Sequence, residues 1–468
     1  MQKFTSFIGR ENELSELNKI YRKPGFQFVV VYGRRRVGKT TLLRKFVEDK
    51  DHLYFVADEA PNRIELERFS KEIFEYFKME YFAPFSSWED AFRFTYRKVG
   101  DKRFVIVIDE FQYLAESDKS LISIFQRLID EELVNTNLML IFCGSYVSFM
   151  EKEILASKSP LYGRRTSQME IEPLNFFEAK KFFENYTMEE KVLAYSILGG
   201  IPQYLRSFSD DKDIFENIKE NIMNKYSHLY DEPVFLLRQE LRELSIYNAI
   251  LKTIAQGGTK LNEISTKIHF EAPKVSKYLD VLEGMKIVRK VKPLDIGKSS
   301  RASIYEITDN FFRFWYRFIF DNKELIEKQM EDIVLENTIK PFLNSYVGKI
   351  FELISMDFLF KLNSTGYLPF VFTKIGKWWG NNPTKKREEK IDILAYSDNC
   401  LIIGECKWSD KNVGVDVFYE LLEKASLFNF EKKFYILFSK NGFTKELREL
   451  SKHDKDILLF ELKDFEDI

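Results

Sequence analysis

Short uninterrupted apolar runs alternate with helical periodicity over the first 170 residues. The runs 26–32 (FQFVVVY), 53–56, 104–108 (FVIVI) and 138–143 (LMLIFC) are strand-sized, the pattern of strands buried on both faces. Amphipathic stretches near 40–50, 63–79, 88–98 and 120–132 lie between them and read as helices. Strands separated by helices predict an α/β fold with a parallel sheet covered on both faces. Residues 171–240 read as mainly helical, broken at Gly199-Gly200-Ile201-Pro202. The character then changes. Helices at 246–256, 260–268 and 273–283 precede strand-like 287–291 and 303–308, joined by a polar loop at 293–302. Three short helices and a two-stranded hairpin is the winged helix-turn-helix order. The aromatic stretch 311–320 (FFRFWYRFIF) predicts a helix packed against it. A helix at 346–360 then leads into strands near 367–375, 390–396, 400–407 and 433–439, with a helix at 415–428, which makes a second α/β domain. The expected division is a core at 1–170, a helical lid at 171–240, a winged helix-turn-helix at 241–325 and a C-terminal α/β domain at 340–468.

Composition narrows the function classes. The chain has 468 residues, 45% hydrophobic and 31% charged, a soluble globular composition with room for about three domains. A formal net charge of −2 means that any nucleic-acid surface must come from local clustering. Cys143, Cys400 and Cys406 form no paired framework, which suits a reducing compartment. His52, His228, His269 and His453 are scattered, so no zinc site is expected. Residues 1–25 are charged throughout and lack an apolar signal core, and no apolar run reaches the ~18 residues of a membrane helix. A cytoplasmic protein with no membrane partner is expected.

The strongest chemistry lies at Gly33-Arg34-Arg35-Arg36-Val37-Gly38-Lys39-Thr40, followed by Thr41. It fills every fixed position of GxxxxGK[ST], after a predicted strand and at the start of a predicted helix. Glycines let the backbone N–H groups wrap a phosphate, and the helix N-terminus adds positive potential. Lys39 is expected to reach the β- and γ-phosphates of ATP and Thr40 to ligate Mg²⁺. The buried strand ending in Asp109-Glu110 supplies the acids: Asp109 for Mg²⁺ and Glu110 to polarise the attacking water. Ser145, after the strand at 138–143, can either sense the γ-phosphate or cap the strand end.

These motifs occur in a fixed order: Phe7-Ile8-Gly9-Arg10-Glu11, GRRRVGKT, DEFQ at 109–112, GS at 144–145, LYGRR at 161–165 and GGIPQYL at 199–205. In that order the chain resembles the archaeal-type ATPase family within the AAA+/STAND class of P-loop proteins, over roughly residues 5–240. The resemblance implies an adenine pocket at Phe7, Ile8, Gly9 and Arg10. It also implies a role near the γ-phosphate for Arg164 or Arg165, acting on its own site or on that of a neighbour in a homo-oligomer.

Between 251 and 302 there are 11 Lys/Arg against 5 Asp/Glu. The recognition-helix candidate carries Lys274, Ser276 and Lys277 near its start, and Arg289, Lys290 and Lys292 would lie on the wing. This suits phosphate contact with double-stranded DNA better than base readout. A lid or protein-docking module is the competing reading.

In the last domain, Asp392 lies on one strand, and Glu405 and Lys407 lie on the next, beyond a turn at 397–399. Residues i and i+2 share a strand face, so a hairpin can gather two acids and a lysine. Such a group suits Mg²⁺- or Mn²⁺-assisted phosphodiester hydrolysis, and Glu352 on the preceding helix is a further candidate metal ligand. The arrangement resembles the PD-(D/E)XK restriction-endonuclease-like superfamily, with Ile391 where the first motif has proline. The combined expectation is an ATPase acting on DNA with a nuclease-like C-terminal domain. Its rivals are a STAND-type regulatory switch that cuts nothing and an ATPase with an inactive nucleic-acid-binding module.

Overall fold

The structure, a computed structural model, describes residues 7–81, 83–296, 303–383 and 385–466. It divides into two compact units, one of Met1–Pro173 with Ile201–Gln203 and Gly284–Lys286, the other of Leu174–Gly200, Tyr204–Glu283 and Ile287–Ile468.

In the first unit the apolar runs become β1 (Gln27–Tyr32), β2 (His52–Val56), β3 (Phe104–Asp109) and β4 (Leu138–Gly144). A short edge strand, β5 (Ser167–Glu170), joins them. The order is β2-β3-β4-β1-β5, and every pairing is parallel. Every residue of β1, β3 and β4 is buried, which is why their sequences are continuous rather than alternating. Helices Lys39–Val47, Asn62–Tyr76, Trp88–Val99 and Ser120–Glu131 answer the four expected amphipathic stretches. Parallel strands bring their C-terminal ends to one edge. Gly33, Glu110 and Ser145 leave β1, β3 and β4 there, with Tyr32 beside Gly144 in register. That edge is where open α/β sheets hold ligands.

The second unit contains the remaining expected segments. Helices Leu244–Ala255, Leu261–Ile268 and Ala272–Gly284 precede an antiparallel pair, β6 (Val288–Val291) and β7 (Ile304–Ile307). The aromatic run forms Asn310–Phe314 and continues as a π-helical turn over Trp315–Ile319. A 26-residue helix, Lys340–Thr365, opens the last part. β8 (Lys374–Asn382), β9 (Arg387–Ser397) and β10 (Cys400–Lys407) form an antiparallel meander. After helix Val415–Ala425, β11 (Lys432–Ser439) and β12 (Ile457–Glu461) add in parallel, giving the order β12-β11-β10-β9-β8.

Two expectations change here. The strand expected at 367–375 begins only at Lys374. The loop after β6 does not stand free: Leu294 N donates to Lys377 O on β8 at 2.8 Å, and Trp378 Nε1 donates to Ile296 O at 3.3 Å. Leu294 and Ile296 pack against the core of the β8–β12 sheet. Residues 297–302 of the expected loop lie outside the described residues.

Candidate active site

The loop after β1 has the backbone that its glycines allow. Gly33 has φ 155°, and a Cβ there would meet Ile171 O at 2.3 Å, so no other residue fits. Gly38 has φ 97° and precedes helix Lys39–Val47. Lys39 is 5% exposed, and its Nζ donates to the carbonyls of Gly33 and Arg34 at 2.8 and 2.9 Å. Burial pulls its pKa below that of an ordinary lysine. A buried ammonium satisfied only by the carbonyls of its own loop is poised to exchange them for phosphate oxygens, so these residues fit a nucleotide triphosphate.

The acids stand beside it. Thr40 Oγ1 donates to Asp109 Oδ2 at 2.8 Å, and Tyr54 OH donates to the same oxygen at 2.7 Å. The pair expected to hold Mg²⁺ is therefore already in contact. Glu110 takes the left-handed backbone with φ 54°, a strained conformation for a side-chain-bearing residue. Ser145 Oγ donates to Glu110 Oε2 at 2.6 Å, and Gln112 Nε2 donates to the same carboxylate and to Ser145 Oγ. Ser145 is thus tied to Glu110, the acid expected to polarise water, beyond capping its strand.

The arginines divide. Arg10 is engaged within its own chain. It is 5% exposed, pairs with Glu13 at 2.7 Å and donates to Val37 O at 3.1 Å and to Glu172 O, so it braces the phosphate loop from behind. Gly9 is buried beside it, and Phe7 and Ile8 are half-buried. Arg164 is held by Asp130 at 2.9 Å, at the end of helix Ser120–Glu131, and Arg165 donates to Leu155 O at 3.2 Å. Thr166 N bonds Phe28 O, five residues before Gly33, which puts these arginines about 16 Å down the strands from the phosphate loop. Arg164 is thereby committed at the N-terminal end of β5, which corrects its expected role at its own chain's γ-phosphate, whereas the charge of Arg165 still reaches Tyr32, the residue before Gly33.

On the second unit, Lys274 and Lys277 are exposed and Ser276 is half-buried on helix Ala272–Gly284. Lys290 and Lys292 are exposed, with Lys290 Nζ 5.6 Å from the Tyr305 ring centroid. Arg289 is not a free phosphate contact, because Glu306 on β7 pairs with it at 2.9 Å.

The β9–β10 hairpin gathers the other acids. Gly404 pairs with Ile393, so Glu405 comes opposite Asp392, and Asp392 Oδ2 accepts from Cys406 N at 3.0 Å. Lys407 Nζ lies 2.7 Å from Glu405 Oε1, and Lys424 Nζ lies 3.0 Å from Glu405 Oε2. Burial first, then the charges of Glu352 and Glu405, push the Asp392 carboxyl up to about 7. A cation would relieve that repulsion, so Asp392 and Glu405 fit one. The expected three-acid metal set is nonetheless not assembled. Glu352 is paired with Lys377 at 2.7 Å, and among the described residues no three or more Asp, Glu, His or Cys side chains stand close enough to share an ion.

The family described as "ATPase domain predominantly from Archaea" matches residues 7–208. A second, described as "Archaea bacterial proteins of unknown function", matches residues 315–417. Uncharacterized protein MJECL04 of Methanocaldococcus jannaschii is 36% identical over 468 residues, covering 98% of this chain and 100% of that one. The chain belongs to this archaeal ATPase family. Uncharacterized ATP-binding protein MJ0423 of the same organism is 43% identical over 44 residues, 9% of this chain and 75% of that one. The Walker-type ATPase PABY2304 of Pyrococcus abyssi shares the fold, with TM-score 0.50 and 22% identity over 66% of this chain and 96% of that one. Among the described residues, no helix of this ATPase is long and apolar enough to cross a membrane.

Several site residues escaped the sequence reading. Tyr54 on Asp109, Gln112 on Glu110 and Lys424 on Glu405 lie outside the fixed positions of any motif used. Gln112 stood in the quoted DEFQ, two residues past Glu110, and that was the one available signal.

Proposed function

We propose that this ATPase hydrolyses ATP in its first unit and acts on duplex DNA through its second, where Asp392, Glu405 and Lys407 form a metal-dependent phosphodiesterase centre. The observation that carries the ATPase reading is the contact of Thr40 with Asp109 beside a buried Lys39 and a hydrogen-bonded Glu110. In it, Lys39 and the loop amides bind phosphate, Thr40 and Asp109 would hold Mg²⁺, and Glu110 takes a proton from the attacking water. Loss of ATP binding in Lys39→Ala tests it, and wild-type affinity in that variant would remove it.

The DNA reading draws on exposed Lys274 and Lys277 on the third helix ahead of an antiparallel hairpin, the winged-helix order. Asp392 and Glu405 would hold Mg²⁺ or Mn²⁺, which when bound supplies Lewis acidity and an activated water, while Lys407 orients the phosphate. Incubating the full chain with linear and single-stranded DNA, with and without Mn²⁺ and ATP, tests cleavage directly.

A second reading, a regulatory switch that binds without cutting, has its own support. Lys407 and Lys424 flank Glu405, and Lys377 pairs with Glu352, so lysines already offset much of the acid charge. DNA binding without cleavage under any metal condition favours it. Arg164 and Arg165 fit a neighbour's site in a homo-oligomer, and ATPase activity independent of protein concentration would exclude that role.

A further inference from the structure

We propose that Arg35, from inside the phosphate loop, is a second cation, beside Lys39, that contacts the γ-phosphate of ATP during hydrolysis, with Tyr113 and Tyr146 as its positioning residues. The proposal rests on the ATP-hydrolysing reading above.

The geometry begins with the two phenols. Arg35 Nη2 donates to Tyr113 OH at 2.8 Å and to Tyr146 OH at 3.0 Å, and its guanidinium carbon lies 4.9 Å from the Tyr146 ring centroid. Both anchors belong to the reacting edge. Tyr113 N donates to Glu110 O at 3.0 Å, and Tyr146 directly follows Ser145, the residue hydrogen-bonded to Glu110. The guanidinium is thus fixed at the ends of β3 and β4, where Lys39 and Glu110 also lie.

One further observation points to an anion there. Among the described residues, buried Arg35 Nε has no hydrogen-bond partner. Buried donors are nearly always satisfied, so this guanidinium keeps donor capacity for an oxygen acceptor such as a phosphate. Burial works against the charge on Arg35, but Tyr113, Tyr146 and Glu110 keep its pKa above the ordinary arginine value. Arg164 and Arg165, the arginines expected near the γ-phosphate, are engaged by Asp130 and by Leu155 O.

In the step itself, a water oxygen bonds to the γ-phosphorus and its proton passes to Glu110. The bridging bond breaks with its electron pair leaving on ADP, and the products are ADP and inorganic phosphate. The negative charge gathers on the γ-oxygens and the bridging oxygen. A planar fork beside the γ-phosphate stabilises that charge more than it stabilises bound ATP.

The test uses the full chain, steady-state ATP hydrolysis and trapping of ADP with aluminium fluoride, a mimic of the transferring phosphoryl group. Arg35→Ala should lower kcat by about 10³-fold, the scale of an arginine at this position. It should leave ADP affinity unchanged and abolish trapping. Arg35→Lys should not rescue, since an ammonium lacks the planar fork that spaces donors between the phenols and a phosphate. Tyr113→Phe with Tyr146→Phe should lower kcat while leaving KM unchanged. Wild-type kcat and trapping in Arg35→Ala would overturn the proposal, and so would a parallel loss of ADP binding, which would make Arg35 only a brace of the loop. If the wild type traps ADP and aluminium fluoride in an Arg35-dependent way yet turns over no ATP, the hydrolysis reading falls and the Arg35 contact stands.

Discussion

Replacing Asp392 by Asn should stabilise the metal-free protein, by an amount that grows from about pH 4 and is complete above about pH 7. The folded carboxyl sits at about 7 against an ordinary 3.8, mainly because burial and two neighbouring acids disfavour its charge. Between those values the folded chain binds more protons than the unfolded one, so stability falls as pH rises through that window, with the full penalty present above it. The gap is worth about 4 kcal/mol at about 1.4 kcal/mol per unit. Residual water contact reduces it, and about 2 kcal/mol is the expected gain of Asp392→Asn at pH 8. Toward pH 4 the gain should shrink to a small remainder and below about 3.8 it should vanish, because the carboxyl is then neutral in the unfolded chain as well. The amide oxygen can still accept from Cys406 N, so the hairpin keeps its contact. Denaturant unfolding of the full chain at pH 4.5 and pH 8 measures the difference. Mn²⁺ should stabilise the wild type at pH 8 by lowering the Asp392 pKa, and should leave the variant unmoved. A gain equal at both pH values, or a loss at pH 8, would refute the electrostatic account.

Glu110→Gln should keep ATP affinity and lose turnover, and wild-type hydrolysis in that variant would remove Glu110 from its role. Lys274→Ala and Lys277→Ala should weaken duplex DNA binding about equally across sequences and flatten a log–log salt slope of about −0.9 per neutralised phosphate. A slope near zero in the wild type would favour a protein-docking module instead. Leu294→Asp puts a charge against the β8–β12 core and should destabilise the second unit by about 1–3 kcal/mol, read as a lower midpoint of its unfolding transition. Retention of the wild-type midpoint would mean that the contact of this loop contributes little.

Legibility followed how tightly chemistry constrains sequence. Gly33–Thr40 and Asp109–Glu110 could be read because phosphate wrapping and metal holding require fixed residue types at the ends of strands. β1, β3 and β4 announced themselves because strands buried on both faces must be continuously apolar. β5, with the sequence SQME, is short, polar and at an edge, and carries no such signal. The run at 368–372 (LPFVF) looked like a strand, yet the strand begins at Lys374 with KIGKWWGNN, whose glycine and lysines dilute the pattern. Arg164 and Arg165 were assigned from a motif alone, and a motif does not say at which edge of a sheet its residues emerge. The Glu405–Lys407 pair followed from strand alternation, whereas the pairing of Glu352 with Lys377 depends on how a helix meets β8, which no local pattern encodes.

The docking of Leu294 and Ile296 onto β8 has a bearing on how this chain can be divided. β8 is the last strand of its sheet, and a bare edge offers unpaired backbone to any other strand it meets. The segment after β6 covers part of that edge and supplies Ile296 O to Trp378. A fragment cut at the apparent boundary near residue 340 would strip away this cover and leave an adhesive margin exposed. Such a fragment should self-associate through its edge strands, while one that begins ahead of β6 should remain dispersed. The hairpin and the C-terminal sheet are therefore poor candidates for independent shuffling between proteins, since each arrives with a surface that only the other conceals.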